Sequence, residues 1–139
     1  MKTLVADDDF AHRVLMQEIL KSCGSPHIAV NGVEAVEAVR TSLEYGARHY
    51  DLICLDIMMP QMGGHEALRH IRELEESQGI FSQAGAKIIM ITALDDIKNA
   101  VPAFHNLYDA YLTKPVDKAQ VIGKLQKLGL NLRNEQCSF

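Results

Sequence analysis

Short apolar runs alternate along this chain with segments in which apolar residues recur every three or four positions. The clearest runs cover residues 52–55 and 88–91, and weaker ones cover residues 3–6, 27–30 and 110–113. Runs in which successive residues are all apolar are typical of strands that are buried on both faces of a parallel sheet. The pattern therefore predicts five strands.

The segments between these runs predict helices. Gly24 is expected to end the first helix, and Asp117 is expected to cap the last one. Another helix is predicted to begin near Asp95 or Asp96, where Pro102 restricts its course. The inward faces are predicted from helical spacing: Phe10, Val14, Leu15 and Ile19; Val36, Val39 and Leu43; Leu68, Ile71 and Leu74; and Val121, Ile122, Leu125 and Leu128.

Strand and helix alternate five times, which favours an α/β fold with a parallel sheet and helices on both faces. Right-handed crossovers predict a doubly wound, flavodoxin-like sheet in the order 2-1-3-4-5, with a ligand crevice between the first and third strands. Residues 1–130 are predicted to form this one domain. Residues 75–85 are expected to be a surface loop or a frayed helix end, and residues 131–139 are expected to be a polar, poorly ordered tail.

Composition narrows the function classes. The chain has 139 residues and a net charge of −4 without a Lys/Arg cluster, which argues against nucleic-acid binding. Its apolar runs are far shorter than the roughly 20 residues that cross a bilayer, and a strand pattern begins at once, so neither membrane insertion nor a signal peptide is expected. The three cysteines lack a CxxC pair and are expected to be buried or incidental thiols in a reducing cytoplasm. The scattered histidines are expected at the surface: His12, His27, His49 and His105.

Polar residues follow four of the predicted strands. Asp7 and Asp8 come after the first strand, Asp56 after the third, Thr92 after the fourth and Lys114 after the fifth. One such residue is weak evidence, because an Asp after a strand is commonly the N-cap of the next helix. Parallel strands present their carboxyl ends at the same edge, where open α/β sheets bind ligands. The four positions together therefore predict one site.

The predicted site has the composition of a phosphoryl-transfer centre. Clustered carboxylates cannot all stay ionised cheaply without a cation, and Mg²⁺ with oxygen ligands meets this need. Lys114 and the Thr92 hydroxyl are suited to contact phosphate oxygens, and a carboxylate such as Asp56 is a known nucleophile that forms acyl phosphates. Asp9, in contrast, is expected to cap the first helix rather than to bind a metal.

Four short motifs, at residues 4–9, 55–64, 89–93 and 111–115, resemble the receiver domains of bacterial two-component response regulators in order and spacing. The resemblance extends over nearly the whole chain. It implies the following roles: Asp56 as phosphoacceptor; Asp7, Asp8, Asp56 and the Met58 backbone carbonyl at the Mg²⁺ site; Lys114 and Thr92 as phosphoryl contacts; and Thr92 and Tyr111 as switch residues.

The resemblance implies a stand-alone phosphorylation-dependent switch that promotes only its own phosphorylation and dephosphorylation, and so is not an enzyme acting on other substrates. The expected phosphodonor is a sensor histidine kinase or a histidine phosphotransfer protein. The signal is expected to pass on through contacts with an unknown downstream protein or through a phosphorelay. Whether phosphorylation also drives formation of a homodimer is a question that the sequence leaves open.

The alternative function is a Mg²⁺-dependent phosphohydrolase with an aspartyl-phosphate intermediate. Such enzymes usually carry an acidic residue two positions after the nucleophile, where this chain has Met58, and a cap domain for which it has no length. A degenerate receiver that only binds a partner is disfavoured, because the site residues are all present.

Two departures from the family pattern bear on function. Met58 is apolar where many family members carry a polar side chain, and it is a poor hydrogen-bond partner for an attacking water. We therefore expect a phosphoryl group that persists. Leu107 and Tyr108 replace the usual glycine-rich lead into the fifth strand.

Overall fold

Five parallel strands form the sheet of this protein in a computed structural model, which describes residues 1–44, 49–80, 84–93 and 107–130. Neighbouring strands pair in the order β2-β1-β3-β4-β5, which confirms the predicted doubly wound topology. The strands are β1 (Thr3–Ala6), β2 (His27–Ala29), β3 (Leu52–Asp56), β4 (Lys87–Thr92) and β5 (Ala110–Thr113).

Four helices lie in the described part of the chain. They are α1 (Phe10–Leu20), which continues as a 3₁₀ turn to Cys23; α2 (Gly32–Glu44); α3 (Gly64–Ser77); and α4 (Lys118–Lys127). As predicted, Asp9 caps α1 by accepting the Ala11 N–H at 3.0 Å, and Asp117 caps α4. The helix predicted near Asp95, with Pro102, lies outside the described residues, as do residues 131–139 and His105.

Two apolar cores cover the two faces of the sheet. Because side chains alternate along a strand, Ile53 and Leu55 of β3 enter the core beneath α2 and α3, whereas Leu52 and Cys54 enter the core beneath α1 and α4. All five residues of β3 are buried, as expected for the central strand of a parallel sheet. Burial raises the pKa of the Cys54 thiol to about 12, which makes it a core residue and an inert one.

The inward face of α1 differs from the predicted one. Phe10 is 71% exposed and Val14 is 41% exposed, while the buried residues are His12, Met16, Ile19 and Leu20. The prediction that His12 lies at the surface is therefore wrong, and so is the predicted burial of Phe10, Val14 and Leu15. A hydrogen bond between His12 and Asp7 explains the difference, since a polar ring is readily buried when it has a partner.

Part of the prediction for residues 75–85, a surface loop or a frayed helix end, is wrong. Glu75 does lie at a helix end, in the last turns of α3, but it is buried and only 5% exposed. Its carboxylate accepts the Ala86 N–H at 2.8 Å and pairs with Arg72 Nη1 at 2.8 Å. Sequence pattern classed this charged residue as polar surface, whereas its two partners allow it to be buried.

Among the helices of the described ranges, none has the length and apolar character that a bilayer span requires.

Candidate functional site

The candidate site lies at the carboxyl edge of the sheet. Asp7 directly follows β1, Asp56 is the last residue of the adjacent β3, and Lys114 directly follows β5. The strand order places β3 beside β1 and β4, so residues far apart in sequence meet at this edge. The backbone N–H of Ile57 extends the β3–β4 ladder by donating to the Ile91 carbonyl at 3.0 Å, and this contact fixes the direction of the chain just after Asp56.

Lys114 bridges the two buried carboxylates. Its Nζ lies 3.2 Å from Asp56 Oδ2 and 3.4 Å from Asp7 Oδ2. Burial by itself lowers the pKa of Lys114, but the charges of Asp56 and Asp7 outweigh it and the pKa is raised. The lysine is therefore a fixed positive charge in the site.

Asp7 is held as an anion. Its Oδ1 accepts the Asp9 N–H at 2.9 Å, and its Oδ2 is bonded to Nδ1 of His12. Burial favours the neutral acid, but the bonds from His12 and Asp9, together with the charge of Lys114, lower the pKa of Asp7 to about 2.

Asp56 has the opposite electrostatic environment. Burial, and then the negative charge of Asp7, raise the pKa of Asp56 to about 6, and Lys114 offsets only part of this rise. Two carboxylates on neighbouring strands thus differ strongly in proton affinity. A cation beside Asp56 would favour its ionised form.

Asp8 completes an acidic group with Asp7 and Asp56. Each residue offers an oxygen atom within 4.8 Å of the others, and Asp8 is exposed while the other two are buried. Hard oxygen donors in this number fit Mg²⁺, which binds through one or two carboxylates and keeps several waters. The residues present therefore fit the metal that the sequence predicts.

The other predicted site residues lie around this group. The Met58 N–H points to Asp56 Oδ1 at 3.3 Å, and its side chain is 64% exposed. Thr92, the buried last residue of β4, donates its hydroxyl to the Ala93 carbonyl at 3.2 Å. Tyr111 stands apart from the carboxylates, where its ring contacts Tyr108 edge-on and lies 5.8 Å from Lys124 Nζ.

Two glycines bring the loop after Asp56 close to its neighbours. The Gly32 N–H donates to the Met62 carbonyl at 2.9 Å, and a Cβ on Gly32 would lie 2.3 Å from that oxygen. A Cβ on Gly64 would lie 2.4 Å from the Asp56 carbonyl oxygen. Contacts this short exclude any larger residue without movement of the loop.

Sequence reasoning missed His12 as a residue of this site. The sequence does contain a pattern that could have identified it. His12, Met16 and Ile19 are spaced i, i+4 and i+7 along α1, so they form a second stripe that could face the sheet. That stripe has fewer apolar residues than the one that was predicted, so apolar pattern favoured the wrong face.

Solved structures place this architecture in one class of protein. The receiver domain of a Francisella response regulator is 29% identical, has a TM-score of 0.68, and the match covers 91% of this chain and 94% of that chain. A chain of the CheX–CheY–BeF3–Mg complex from Borrelia burgdorferi is 26% identical with a TM-score of 0.75, over 93% of this chain and 89% of that chain.

Residues 3–126 match the response regulator receiver domain, and the chain belongs to that family. It is a receiver domain of two-component signalling, a family of phosphoacceptors that act as signalling switches.

Curated relatives carry a similar segment within longer chains. Hybrid signal transduction histidine kinase B of Dictyostelium discoideum is 35% identical over 94% of this chain, and sensor protein GacS of Pseudomonas syringae pv. syringae is 32% identical over 96%. The chain spans only 7% and 14% of the lengths of these two relatives.

Proposed function

We propose that Asp56 accepts a phosphoryl group from a phosphohistidine of a sensor histidine kinase or a histidine phosphotransfer protein. An Asp56 oxygen attacks phosphorus, the phosphorus–nitrogen bond breaks and the histidine leaves, which forms an acyl phosphate. The observation that carries the proposal is the contact of buried Asp56 with Lys114 beside the acidic group. Kinases and a sensor protein among the relatives support this class of phosphodonor.

The acidic group is proposed to hold Mg²⁺. Asp8 and Asp56 are suited to bind it directly with the Met58 carbonyl. The contacts of Asp56 with the Met58 N–H and Lys114 Nζ are long, at 3.3 Å and 3.2 Å, whereas Asp7 is held by shorter bonds from Asp9 and His12. Asp7 would then contribute its charge, and contacts through metal-bound water, rather than a direct bond. Bound Mg²⁺ supplies positive charge that offsets the charge of the phosphoryl oxygens.

Lys114 and Thr92 are proposed to contact the phosphoryl group. Lys114 Nζ, already 3.2 Å from Asp56 Oδ2, would bind a phosphoryl oxygen as a point charge. The Thr92 hydroxyl would exchange the Ala93 carbonyl for a phosphoryl oxygen. Tyr111, now 40% exposed, would become buried in the phosphorylated state, so that phosphorylation shifts the population between two conformations.

Residues 1–130 are proposed to act as one signalling domain in the cytoplasm. Signal output would pass through an unidentified downstream protein, through a phosphorelay, or through a homodimer linked to phosphorylation. The only reactions promoted by the domain would be its own phosphorylation and dephosphorylation.

Intact-mass spectrometry after incubation with acetyl phosphate and Mg²⁺ tests the proposal. We expect one phosphoryl adduct on the wild type that needs Mg²⁺ and is lost in Asp56→Asn. Asp9→Asn is the matched control, because Asn caps a helix about as well as Asp and the adduct should remain. A protein that binds Mg²⁺ but forms no adduct would contradict the proposal, and steady phosphate release in its place would favour the phosphohydrolase.

A further inference from the structure

His12 is a buried polar residue beside the candidate site. Its side chain is 8% exposed and lies on the inner face of α1, where Nδ1 is bonded to Asp7 Oδ2. Within the described ranges, the other ring nitrogen, Nε2, is buried without a hydrogen-bond partner. Among the described residues, the hydrogen bonding of this buried ring is therefore to Asp7. A half-satisfied imidazole is unfavourable in a core, and its position calls for a role.

The contacts of Asp7 show what His12 contributes. Oδ1 is held by the Asp9 N–H, whereas Oδ2 is approached by two side chains, His12 and Lys114. Lys114 is divided between Asp7 and Asp56, whereas His12, within the part of the chain that the structure describes, hydrogen-bonds to Asp7 and not to Asp56. Without His12, the full charge of Oδ2 would face Lys114 and draw Nζ toward Asp7 and away from Asp56.

We propose that His12 is a positioning residue that holds the Asp7 carboxylate in place, so that the acidic group binds Mg²⁺ and Lys114 stays beside Asp56. This role rests on the proposed function of the site. It follows a general rule for metal centres, in which a partner that hydrogen-bonds a carboxylate near the metal orients that carboxylate.

Two nearly isosteric variants separate the hydrogen bond from the volume of the ring. In His12→Asn, the side-chain N–H₂ stands at the depth of Nδ1 and can still donate to Asp7, whereas His12→Leu places a methyl group there. Neither the Asn nor the Leu side chain titrates. At any one pH, the two variants therefore differ in whether residue 12 can donate a hydrogen bond to Asp7.

The measurement is a MgCl₂ titration of ¹⁵N-labelled protein, followed by backbone amide shifts, which also report that each variant is folded. We expect His12→Leu to weaken Mg²⁺ binding by about tenfold or more, the usual effect of losing such a partner. His12→Asn should recover most of that loss. The rate of Asp56 phosphorylation by acetyl phosphate at saturating Mg²⁺ should follow the same order, because Lys114 is displaced in His12→Leu.

Three outcomes would overturn the role of His12. Binding of Mg²⁺ by His12→Leu as tight as that of the wild type would show that Asp7 needs no such support. Equal weakening in both variants would show that ring volume, and not the hydrogen bond, matters. A wild type that neither binds Mg²⁺ nor forms the adduct would overturn the proposed function and this role together, whereas the first two outcomes leave the proposed function intact.

Discussion

Two buried aspartates contact the same lysine in this protein, yet the pKa of one is lowered and the pKa of the other is raised. Asp7 accepts bonds from Asp9 and His12, which hold its pKa at about 2, while the pKa of Asp56 is raised to about 6 by burial and by Asp7 itself. This division suits their proposed roles, because one carboxylate is a permanent anion and the other gains most from a cation or a phosphoryl group.

The raised pKa of Asp56 predicts how stability depends on pH without metal. Folding favours the protonated form of Asp56, so its stabilising contribution is complete below about pH 4 and is lost as pH rises through about 6. Asp56→Asn, which cannot ionise, should therefore gain stability relative to the wild type between pH 5 and 7.5. The gain is at most about 3 kcal/mol, since one pKa unit corresponds to about 1.4 kcal/mol.

Urea unfolding of both proteins in EDTA at several pH values measures this difference. The lowered pKa of Asp7 acts in the other direction, but only as pH falls from about 4 toward 2, so it does not disturb the comparison. A stability difference that stays constant from pH 5 to 7.5 would show that Asp56 ionises normally.

Met58 gives a prediction about the lifetime of the phosphoryl group. Its apolar side chain is 64% exposed two residues after Asp56 and cannot hydrogen-bond an attacking water well. Met58→Asn should shorten the lifetime of phospho-Asp56, whereas Met58→Leu should leave it nearly unchanged. Decay of the adduct in Mg²⁺ after removal of acetyl phosphate measures this, and an Asn variant that decays no faster would count against the idea.

The site residues whose proximity was predicted correctly are those whose place follows from the strand pattern. Asp7, Asp56 and Lys114 each follow or end a strand, and strand ends in a parallel sheet must meet. His12 and Glu75 were misjudged because their burial depends on partners elsewhere, namely Asp7 and the Arg72–Ala86 pair. A pattern of apolar residues carries no information about such partners.

At the scale of elements, the predictions were again correct where burial follows the apolar pattern and wrong where it does not. The five strands and the inward faces of α2, α3 and α4 were predicted because most of their apolar residues are also buried, although Ile28, Val33 and Tyr111 are exposed. In α1 the apolar residues form two stripes, and the stripe with Phe10 and Val14 remains exposed. Packing against the sheet, and not hydrophobicity alone, selects which stripe turns inward.

The contact between α2 and the loop after Asp56 predicts a sharp difference between two glycines. Gly32→Ala would place its Cβ 2.3 Å from the Met62 carbonyl oxygen, so we expect a loss of about 1–3 kcal/mol and displacement of residues 57–63. Gly123→Ala in α4 meets no atom within 4 Å and should stabilise the protein by about 0.5–1 kcal/mol.

Thermal unfolding and amide shifts of both variants check this prediction. Slower Asp56 phosphorylation is also expected for Gly32→Ala, because the Met58 carbonyl lies in the displaced loop. If Gly32→Ala were as stable as Gly123→Ala, the close approach of α2 to this loop would not exist in solution.

At the scale of the whole molecule, Arg72 connects three elements at the edge opposite the candidate site. Its guanidinium donates to the Leu107 and Ala86 carbonyls at 2.8 Å and pairs with Glu75 at 2.8 Å and Asp109 at 3.0 Å. Asp109 in turn accepts the Ile88 N–H at 2.8 Å. The end of α3 and the beginnings of β4 and β5 are thereby fixed to one another.

Arg72→Met should destabilise the protein by about 3–5 kcal/mol, because it leaves the buried Glu75 carboxylate without its positive partner. Arg69→Met on the same helix is the control. Arg69 is exposed and 3.8 Å from Glu73, so its loss should change stability by less than about 1 kcal/mol. Urea unfolding compares the two, and similar effects would mean that the Arg72 contacts contribute no more than a surface pair.

Three of the six methionines lie in separate parts of the molecule, so their methyl groups report on each part separately. Met16 lies in the core beneath α1 and α4, Met90 in the core beneath α2 and α3, and Met58 is exposed beside Asp56. In protein labelled with ¹³C only at methionine methyls, a change confined to Met58 would record chemistry at the surface of the site. Simultaneous shifts of Met16 and Met90 would record that the cores on both faces of the sheet rearrange. One spectrum therefore distinguishes phosphorylation of the site from a conformational change of the whole domain.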